Sequence, residues 1–236
     1  MQPMNHSSEG RNAAINAIVE LVVVGRLGVG QKSLTYEQEL AEATSAEVED
    51  IRRACAVMIR DGLMGQRPGQ GVWIWPVSAD ELRQCLSLRS RIDVPAAVSL
   101  AASLERGKKV NAIEKVYRNF LVAATTDEWN VDRFIHRDAL FHARIAAEGG
   151  YLTGAEIIET WGRKCRMLFA RSDYHEVIAG SHIDIAASND EIFRLLKGGD
   201  MAVAKASEAY LENWRHLLSH EVIDFLKTAK LEVRET

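Results

Sequence analysis

The sequence predicts a mainly α-helical protein that begins with a small region containing a β-hairpin and continues as an all-helical bundle. Two observations support this prediction. A Gly- and Trp-containing hairpin segment follows three short helical patterns within the first 78 residues, and helical periodicity then runs through most of the remainder. The length of 236 residues and the hydrophobic content of 47% suit one or two globular domains and exclude a disordered chain.

The N-terminal region contains three helical patterns. The first ten residues are polar and are expected to be frayed. Apolar residues recur at helical spacing from Asn12 to Val24 and predict the first helix. The segment Thr35 to Gln38 has the form of a capping box that opens a second helix, and Thr44-Ser45 can cap a third, which ends near Asp61.

A different pattern follows the third helix. Residues 63–75 predict two short strands around a turn that contains Pro68, Gly69 and Gly71. Three helices followed by a small hairpin are the element order of a winged helix-turn-helix. We therefore predict such a domain over residues 1–78.

Residues 79–236 are predicted to form a second domain, an antiparallel bundle of six helices. Such bundles place ligand sites between facing helices. The predicted helix breaks include Gly107 and Gly180. The predicted helices span about 79–105, 109–125, 128–148, 151–171, 183–197 and 200–228, and Asp200 is the expected N-cap of the last.

The charge and cysteine content limit the class of protein. With 29 basic and 33 acidic residues, the chain has no overall basic signature of a nucleic-acid binder. Its three cysteines include no Cys-x-x-Cys pair, so a disulfide framework is not expected. We therefore expect a cytoplasmic location. The apolar run from Ala17 to Val24 contains Glu20 and is far shorter than the ~20 residues of a membrane span.

Several local strings, taken in order, resemble the GntR family of bacterial transcription regulators, in the FadR-like branch whose C-terminal helical domain is called FCD. They are Gly25-Arg-Leu with Gly30, Glu39-Leu-Ala-Glu42, Arg52-Arg53, Asp61-Gly-Leu63, Arg67-Pro-Gly-Gln-Gly71, Arg89-x-x-x-Asp93, Asp138-x-x-x-His142 and Gly199-Asp200. The resemblance implies a homodimer. It also implies that the winged domain binds operator DNA and that the FCD-like bundle binds a small effector, often a carboxylic acid.

The candidate DNA-binding residues lie on the third helix and on the hairpin, which would form the wing. Arg52 and Arg53 are expected to reach phosphates, and Arg67 with Gln70 to enter the minor groove beside Gly71. These five residues are the predicted DNA contacts.

The net charge of the predicted winged domain opposes contact with DNA. Residues 1–78 contain seven basic and nine acidic residues, a net charge of −2. Glu47, Glu49 and Asp50 stand where the resembled family has basic or small polar residues, and carboxylates are repelled by phosphate. Two hypotheses remain open at this stage, operator binding and a degenerate winged domain that binds a protein instead.

The candidate effector-binding residues are Arg89, Asp138, His142 and Asn189. Arg89 matches an arginine of the resembled family whose guanidinium can hold a ligand carboxylate through two hydrogen bonds. The alternative is an ordinary i,i+4 ion pair with Asp93. An organic acid or another polar metabolite is the expected effector.

Asp138 and His142 also form half of a possible divalent-metal site, because residues four apart lie on one face of a helix. The resemblance implies two further histidine ligands, but Asn189 and Leu211 occupy those positions. The predicted metal site is therefore incomplete, and no cofactor is firmly predicted.

The sequence contains no Gly-x-Ser-x-Gly, P-loop, Rossmann or His-Glu-x-x-His motif. We therefore expect no enzyme. The expected function is that of an effector-responsive bacterial transcription regulator that binds DNA as a dimer. The alternative is a ligand-binding or interaction protein with weak or no operator binding.

Overall fold

The structure, a computed structural model, describes residues 6–126, 129–169, 175–219 and 222. The chain divides into two compact units, Met1–Val77 and Ser78–Thr236. Across the described residues there are nine helices and one two-stranded sheet, which confirms the mainly α fold class. None of these helices is long and apolar enough to cross a membrane.

The N-terminal unit has the element order of a winged helix-turn-helix. It consists of α1 (His6–Val23), α2 (Glu37–Thr44), α3 (Val48–Arg60), β1 (Met64–Arg67) and β2 (Gly71–Ile74). Helix α1 packs on α3, and α2 packs against both. Their contact surfaces bury aliphatic side chains such as Ile18, Leu40 and Ile51, so the three helices share one apolar core.

The wing is an antiparallel hairpin in which Met64 lies opposite Ile74. Thr35 joins its outer side, because Thr35 and Val72 exchange two backbone hydrogen bonds of 2.9 Å. Gly71 has a φ of +106°, and a Cβ at this position would lie 2.3 Å from the carbonyl oxygen of Thr35. Only glycine fits there without displacing the strand.

Two sequence predictions at the helix starts need correction, the first in its boundary and the second, the capping box, by one residue. Helix α1 begins at His6, so the polar residues before Asn12 are not all frayed. Helix α2 begins at Glu37, and the side chain of Glu39 makes the capping contacts. Its Oε2 accepts from the Tyr36 backbone N–H at 3.1 Å and from the Thr35 hydroxyl at 2.8 Å.

The turn between α2 and α3 also differs from its prediction. The Thr44 hydroxyl donates to the Leu40 carbonyl at 2.7 Å, so it closes α2 instead of opening α3. Ser45 adopts a left-handed conformation with φ 56° at the end of α2. The N-cap of α3 is Glu47, whose side chain makes no capping hydrogen bond.

The C-terminal unit is the helical bundle that the sequence predicts. Its helices are α4 (Ala79–Ala101), α5 (Arg106–Thr125), α6 (Val131–Glu148), α7 (Leu152–Phe169), α8 (His175–Gly198) and α9 (Val203–Leu217). Helix α6 packs against α5 on one side and α7 on another, and α4 and α8 both pack against α9. Side chains from α4, α6, α8 and α9 therefore reach a common interior.

The largest boundary error of the sequence analysis concerns Gly180. Helix α8 continues through it without a break, because the buried apolar face formed by Ile178, Ile185 and Ile192 has the same helical period on both sides. Gly107 lies in the first turn of α5 and is not a break either. Most other ends shift by one to four residues, but the last predicted helix, 200–228, ends at Leu217. The predicted helical residues 170–171, 220–221 and 223–228 lie outside the described residues.

The start of the last helix is the smallest correction. Asp200 does not cap α9 directly, since the helix begins at Val203. The Asp200 carboxylate instead accepts from the backbone N–H of Ala202 at 2.8 Å and stabilises the turn before the helix.

Candidate functional site

The first candidate site is the beginning of α3, the helix that the sequence assigns to reading DNA. Arg52 and Arg53 are exposed there. Arg52 donates to Glu49 at 2.6 Å and lies 3.4 Å from Glu37 on α2. Arg53 donates to Asp50 at 3.2 Å. Both guanidinium groups are therefore paired with carboxylates of the same unit.

These ion pairs are easily exchanged, because the side chains of Arg52 and Glu49 are 57% and 56% exposed. An exposed ion pair contributes about 0–1 kcal/mol to stability. A phosphate can thus take the place of Glu49 beside Arg52 at little cost, whereas the carboxylate of Glu49 stays nearby and repels the phosphate. The arrangement permits contact with DNA but weakens it.

The wing presents one further basic side chain. Arg67 is exposed, its guanidinium lies 5.9 Å from the centre of the Trp73 ring, and it donates to Gln70 at 3.3 Å. Gly71 offers no side chain, and its place in the hairpin follows from its close contact with Thr35. Arg67 and Gln70 together form a polar tip on the hairpin.

The second candidate site lies inside the helical unit. The four predicted effector-binding residues meet there, namely Arg89 from α4, Asp138 and His142 from α6, and Asn189 from α8. Each is at most 2% exposed. Their polar atoms therefore interact with one another and with their immediate neighbours.

Asn189 connects the two residues of α6. Its amide nitrogen donates to Oδ1 of Asp138 at 2.7 Å, and its amide oxygen lies 2.8 Å from Nε2 of His142. An amide oxygen only accepts hydrogen bonds, so Nε2 of His142 carries a hydrogen. Burial, together with the nearby charge of Arg89, holds the pKa of His142 well below its usual value, and the ring is neutral.

Tyr210 on α9 completes this cluster, although the sequence does not single it out. Its hydroxyl donates to Oδ2 of Asp138 at 2.7 Å and accepts from Arg89 at 3.4 Å. Its ring stacks on His142 with the ring centres 3.9 Å apart. Both carboxylate oxygens of Asp138 are therefore hydrogen-bonded. The sequence offers one signal for Tyr210, its position next to Leu211, which stands where the resemblance implies a metal-binding histidine.

Arg89 is held from two sides. It donates to Asp93 at 2.5 Å, and its guanidinium lies 4.3 Å from the centre of the Trp161 ring. Burial opposes the charged form, but the negative charge of Asp93 more than offsets it and raises the pKa of Arg89. The ion pair that the sequence offers as an alternative is thus present, and it is buried.

The cluster also leaves two buried polar atoms unpaired. Among the described residues, Nε of Arg89 and Oδ1 of Asp93 have no hydrogen-bond partner. Buried atoms of this kind are usually satisfied by water or a ligand. A donor and an acceptor are therefore available on neighbouring side chains for a small molecule with both functions.

The electrostatic state of Asp138 follows from its surroundings. Burial raises its pKa to about 6, and the charge of Arg89 with the hydrogen bonds from Tyr210 and Asn189 limits the rise. Asp138 is consequently ionised at pH 7. Arg89, reached through the Tyr210 hydroxyl, supplies the compensating positive charge.

Leu211 does not accompany Asn189, contrary to the sequence analysis. It is fully buried and lines a separate groove of about 700 Å³ between α4 and α9. Consecutive residues on a helix point about 100° apart, so Tyr210 and Leu211 face different directions, and Tyr210 is the one that contacts the cluster. The groove is lined by Ser90, Val94, Pro95, Lys205, Glu208, Ala209, Leu211, Glu212 and Arg215.

Two further arginines, on α7, are paired with carboxylates outside this cluster. Arg166 donates to both oxygens of Asp132, at 2.7 and 3.1 Å. Arg163 donates to Glu159 at 3.0 Å. Of these three arginines, Arg89 is the one whose hydrogen bonds place it in the buried cluster.

The donor set of the cluster does not fit a divalent metal. The oxygens of Asp138 accept from Tyr210 and Asn189, and Nε2 of His142 carries a hydrogen. In the described part of the chain, no three side chains of the His, Cys, Asp and Glu types converge as a metal site. A metal beside Asp138 and His142 would therefore meet fewer than three strong ligands.

The fold is similar to those of several solved structures. Escherichia coli McbR/YncC shares 14% identity with this chain, with 94% of this chain and 98% of McbR/YncC aligned at a TM-score of 0.60. A putative GntR transcriptional regulator from Rhodococcus sp. RHA1 shares 17% identity over 89% and 98% of the two chains, at 0.57. Lar, which controls expression of the Listeria monocytogenes agr system, shares 14% identity over 92% of this chain and 98% of Lar, at a TM-score of 0.50.

No protein-family model matches the sequence, and no curated protein matches it. The structural likeness nevertheless extends over both units. It confirms that the chain has the fold of GntR-type regulators, a winged helix-turn-helix followed by a helical domain.

Proposed function

We propose that this protein is a bacterial transcription regulator that binds operator DNA as a homodimer and responds to a small polar molecule bound in its helical unit. One observation carries the proposal. A winged helix-turn-helix precedes a bundle with a buried charged cluster, in a chain whose fold is that of GntR-type regulators over nearly its whole length. A cytoplasmic location and the absence of enzymatic activity belong to the same proposal.

The DNA-binding role is assigned to α3 and the wing. Arg52, Arg53 and Arg67 are exposed, and their present partners are exposed or partly exposed carboxylates, an amide and an aromatic ring. Each phosphate that such a side chain neutralises releases a counterion, which favours binding at low salt. Few cations are available, so the expected affinity is modest and the salt dependence shallow.

The effector role is assigned to the Arg89 cluster. It joins α4, α6, α8 and α9, so a molecule bound there would change contacts of four helices at once. A carboxylate that takes two hydrogen bonds from the Arg89 guanidinium, the effector that the sequence predicts, competes with Asp93 for it. A molecule that instead pairs with Nε of Arg89 and Oδ1 of Asp93 leaves that ion pair intact.

Titration of the purified protein against the DNA upstream of its own coding sequence, at low and moderate salt, tests the DNA arm. The regulator hypothesis predicts affinity for this DNA at least about tenfold higher than for a random duplex of equal length. Equal affinities for the two duplexes would contradict it. Sedimentation of the complex measures whether two chains bind each site.

A second candidate function follows from the ion pairs of α3. Because Glu49 and Asp50 hold Arg52 and Arg53, the winged unit also suits an interaction protein that no longer reads DNA. The double substitution Val48→Arg with Glu49→Thr distinguishes the DNA-binding regulator from the interaction protein. A rise in DNA affinity by orders of magnitude means that α3 lies in the groove, whereas no change favours the interaction protein.

A further inference from the structure

We infer that hydrogen bonds to Asp138 replace, in this chain, the interhelical metal centre that the family resemblance implies. Tyr210 joins α6 to α9, and Asn189 joins α6 to α8, in the place of metal bonds. This inference concerns the helical unit alone. It holds for either function proposed above.

The first argument is the occupancy of the Asp138 oxygens. Oδ1 accepts from the Asn189 amide and Oδ2 from the Tyr210 hydroxyl, both at 2.7 Å. Charge-assisted hydrogen bonds of this length are strong, and Asp138 is fully buried. The two hydrogen bonds therefore fix the orientation of the carboxylate, and their donors are an amide on α8 and a hydroxyl on α9, where a metal would need further strong ligands.

The second argument is the tautomer of His142. The Asn189 amide has its nitrogen on Asp138, so its oxygen faces His142 and requires the hydrogen on Nε2. A nitrogen that carries a hydrogen cannot bind a metal. The same asparagine that fails to supply an imidazole therefore also occupies Nε2 of His142. The other ring nitrogen, Nδ1, lies 3.7 Å from Oδ2 of Asp93, the oxygen that accepts from Arg89.

The third argument is the charge balance. A metal ion at this position would offset the charge of Asp138, and the chain already places one cation there, Arg89, which pairs with Asp93 and reaches Asp138 through the Tyr210 hydroxyl. Arg89 is fully buried and remains protonated. Tyr210 is thus a positioning residue that connects the buried cation to the buried anion.

Metal titration of the untagged full chain, stripped with a chelator and dialysed, tests the inference. Zn²⁺, Ni²⁺ and Mn²⁺ are each added to one equivalent and in excess, with calorimetry and the thermal midpoint as readouts. We expect no midpoint shift that depends on Asp138. A bound metal at 100 times its Kd would raise the midpoint by about 5–10 °C. Such a rise in the wild type that Asp138→Asn removes overturns the inference.

Two double variants test the assignment of Tyr210 directly. Asn189→His with Tyr210→His places two imidazoles at positions whose present side chains contact Asp138 and His142. Asn189→His with Leu211→His is the matched control, since Leu211 lines the separate groove. We expect stoichiometric Zn²⁺ binding in the first pair and none in the second. Binding in the control pair alone, or in neither folded pair, overturns the assignment.

Discussion

Two ion pairs of the same chemistry and the same helical spacing lie in the two units of this molecule. On α3, Arg53 lies 3.9 Å from Glu49, and on α4, Arg89 lies 2.5 Å from Asp93, both at i,i+4. The first pair is largely exposed and the second is buried. Water supports the charges of the first pair in either partner's absence, but the second pair has no such support.

The difference determines what each pair can do. An exposed pair contributes about 0–1 kcal/mol and can exchange one partner for a phosphate. Breaking a buried pair typically costs 3–5 kcal/mol because one charge is left without a counter-charge. The winged unit therefore has interchangeable electrostatic contacts, and the helical unit has fixed ones. Four predictions test this contrast, in decreasing order of expected effect.

The substitution Asp93→Ala should lower the free energy of unfolding by about 3–5 kcal/mol, because Arg89 would remain buried without its carboxylate. Denaturation with urea measures the change. Glu49→Ala is the matched control and should change the free energy of unfolding by less than about 1 kcal/mol. Equal losses for the two variants would show that burial does not distinguish the pairs.

Acidification should destabilise the protein through buried histidines. Burial, and then the charge of Arg166, lowers the pKa of His136 to about 4, below the unfolded value of about 6.5. The unfolded chain thus binds a proton first, so stability is complete above pH 6.5 and is lost as the pH falls towards 4. The loss from this group is on the order of 2–3 kcal/mol.

His136→Gln isolates this contribution in denaturation curves at pH 7, 5.5 and 4.5. The variant should lose less stability over that range than the wild type. Asp138 acts in the opposite direction, since its pKa of about 6 adds stability as the pH falls through 6, and it is present in both proteins. Parallel curves for wild type and variant would contradict the prediction.

Tyr210→Phe should reduce the free energy of unfolding by about 1–3 kcal/mol, because Asp138 loses a donor and Arg89 loses an acceptor inside the core. The ring stack on His142 is retained, so the change reports the hydroxyl group. Tyr36→Phe, at an exposed position, is the control and should have almost no effect. A neutral result at Tyr210 would mean that its hydroxyl does not link the two charges.

Glu49→Gln should have the smallest effect on stability, within about 0.5 kcal/mol. Its effect should appear in DNA binding instead. Loss of the carboxylate leaves Arg52 with Glu37 as its one remaining carboxylate partner in the structure and removes a charge that repels phosphate, so DNA affinity should rise about threefold or more at low salt. Fluorescence anisotropy at two salt concentrations measures this. Unchanged affinity would remove α3 from the DNA interface.

The sequence predicts the winged hairpin and the helical character of the second unit well, because both depend on local signals. The turn at Pro68 and Gly69 and the periodicity of apolar residues are such signals. Gly180 shows the limit, since its preference for a break is weaker than the burial of the isoleucines on either side.

The composition of the buried cluster was predictable only in part. Arg89, Asp138, His142 and Asn189 meet inside the bundle, and all four are named by their spacing or by the family resemblance. Tyr210 is not, because a count along the chain reaches Leu211, one residue further. Only the packing of α9 against α4 and α8 determines which of two adjacent side chains faces inward.

The orientation of the Asn189 amide has a dynamic consequence. It holds a hydrogen on Nε2 of His142 in a place that bulk water does not reach. Exchange of that hydrogen with solvent requires the helices around it to separate, so its exchange rate reports how often the interior opens. Any molecule that enters the cluster must use the same openings. The exchange rate of this single imidazole hydrogen therefore measures how often the core becomes accessible.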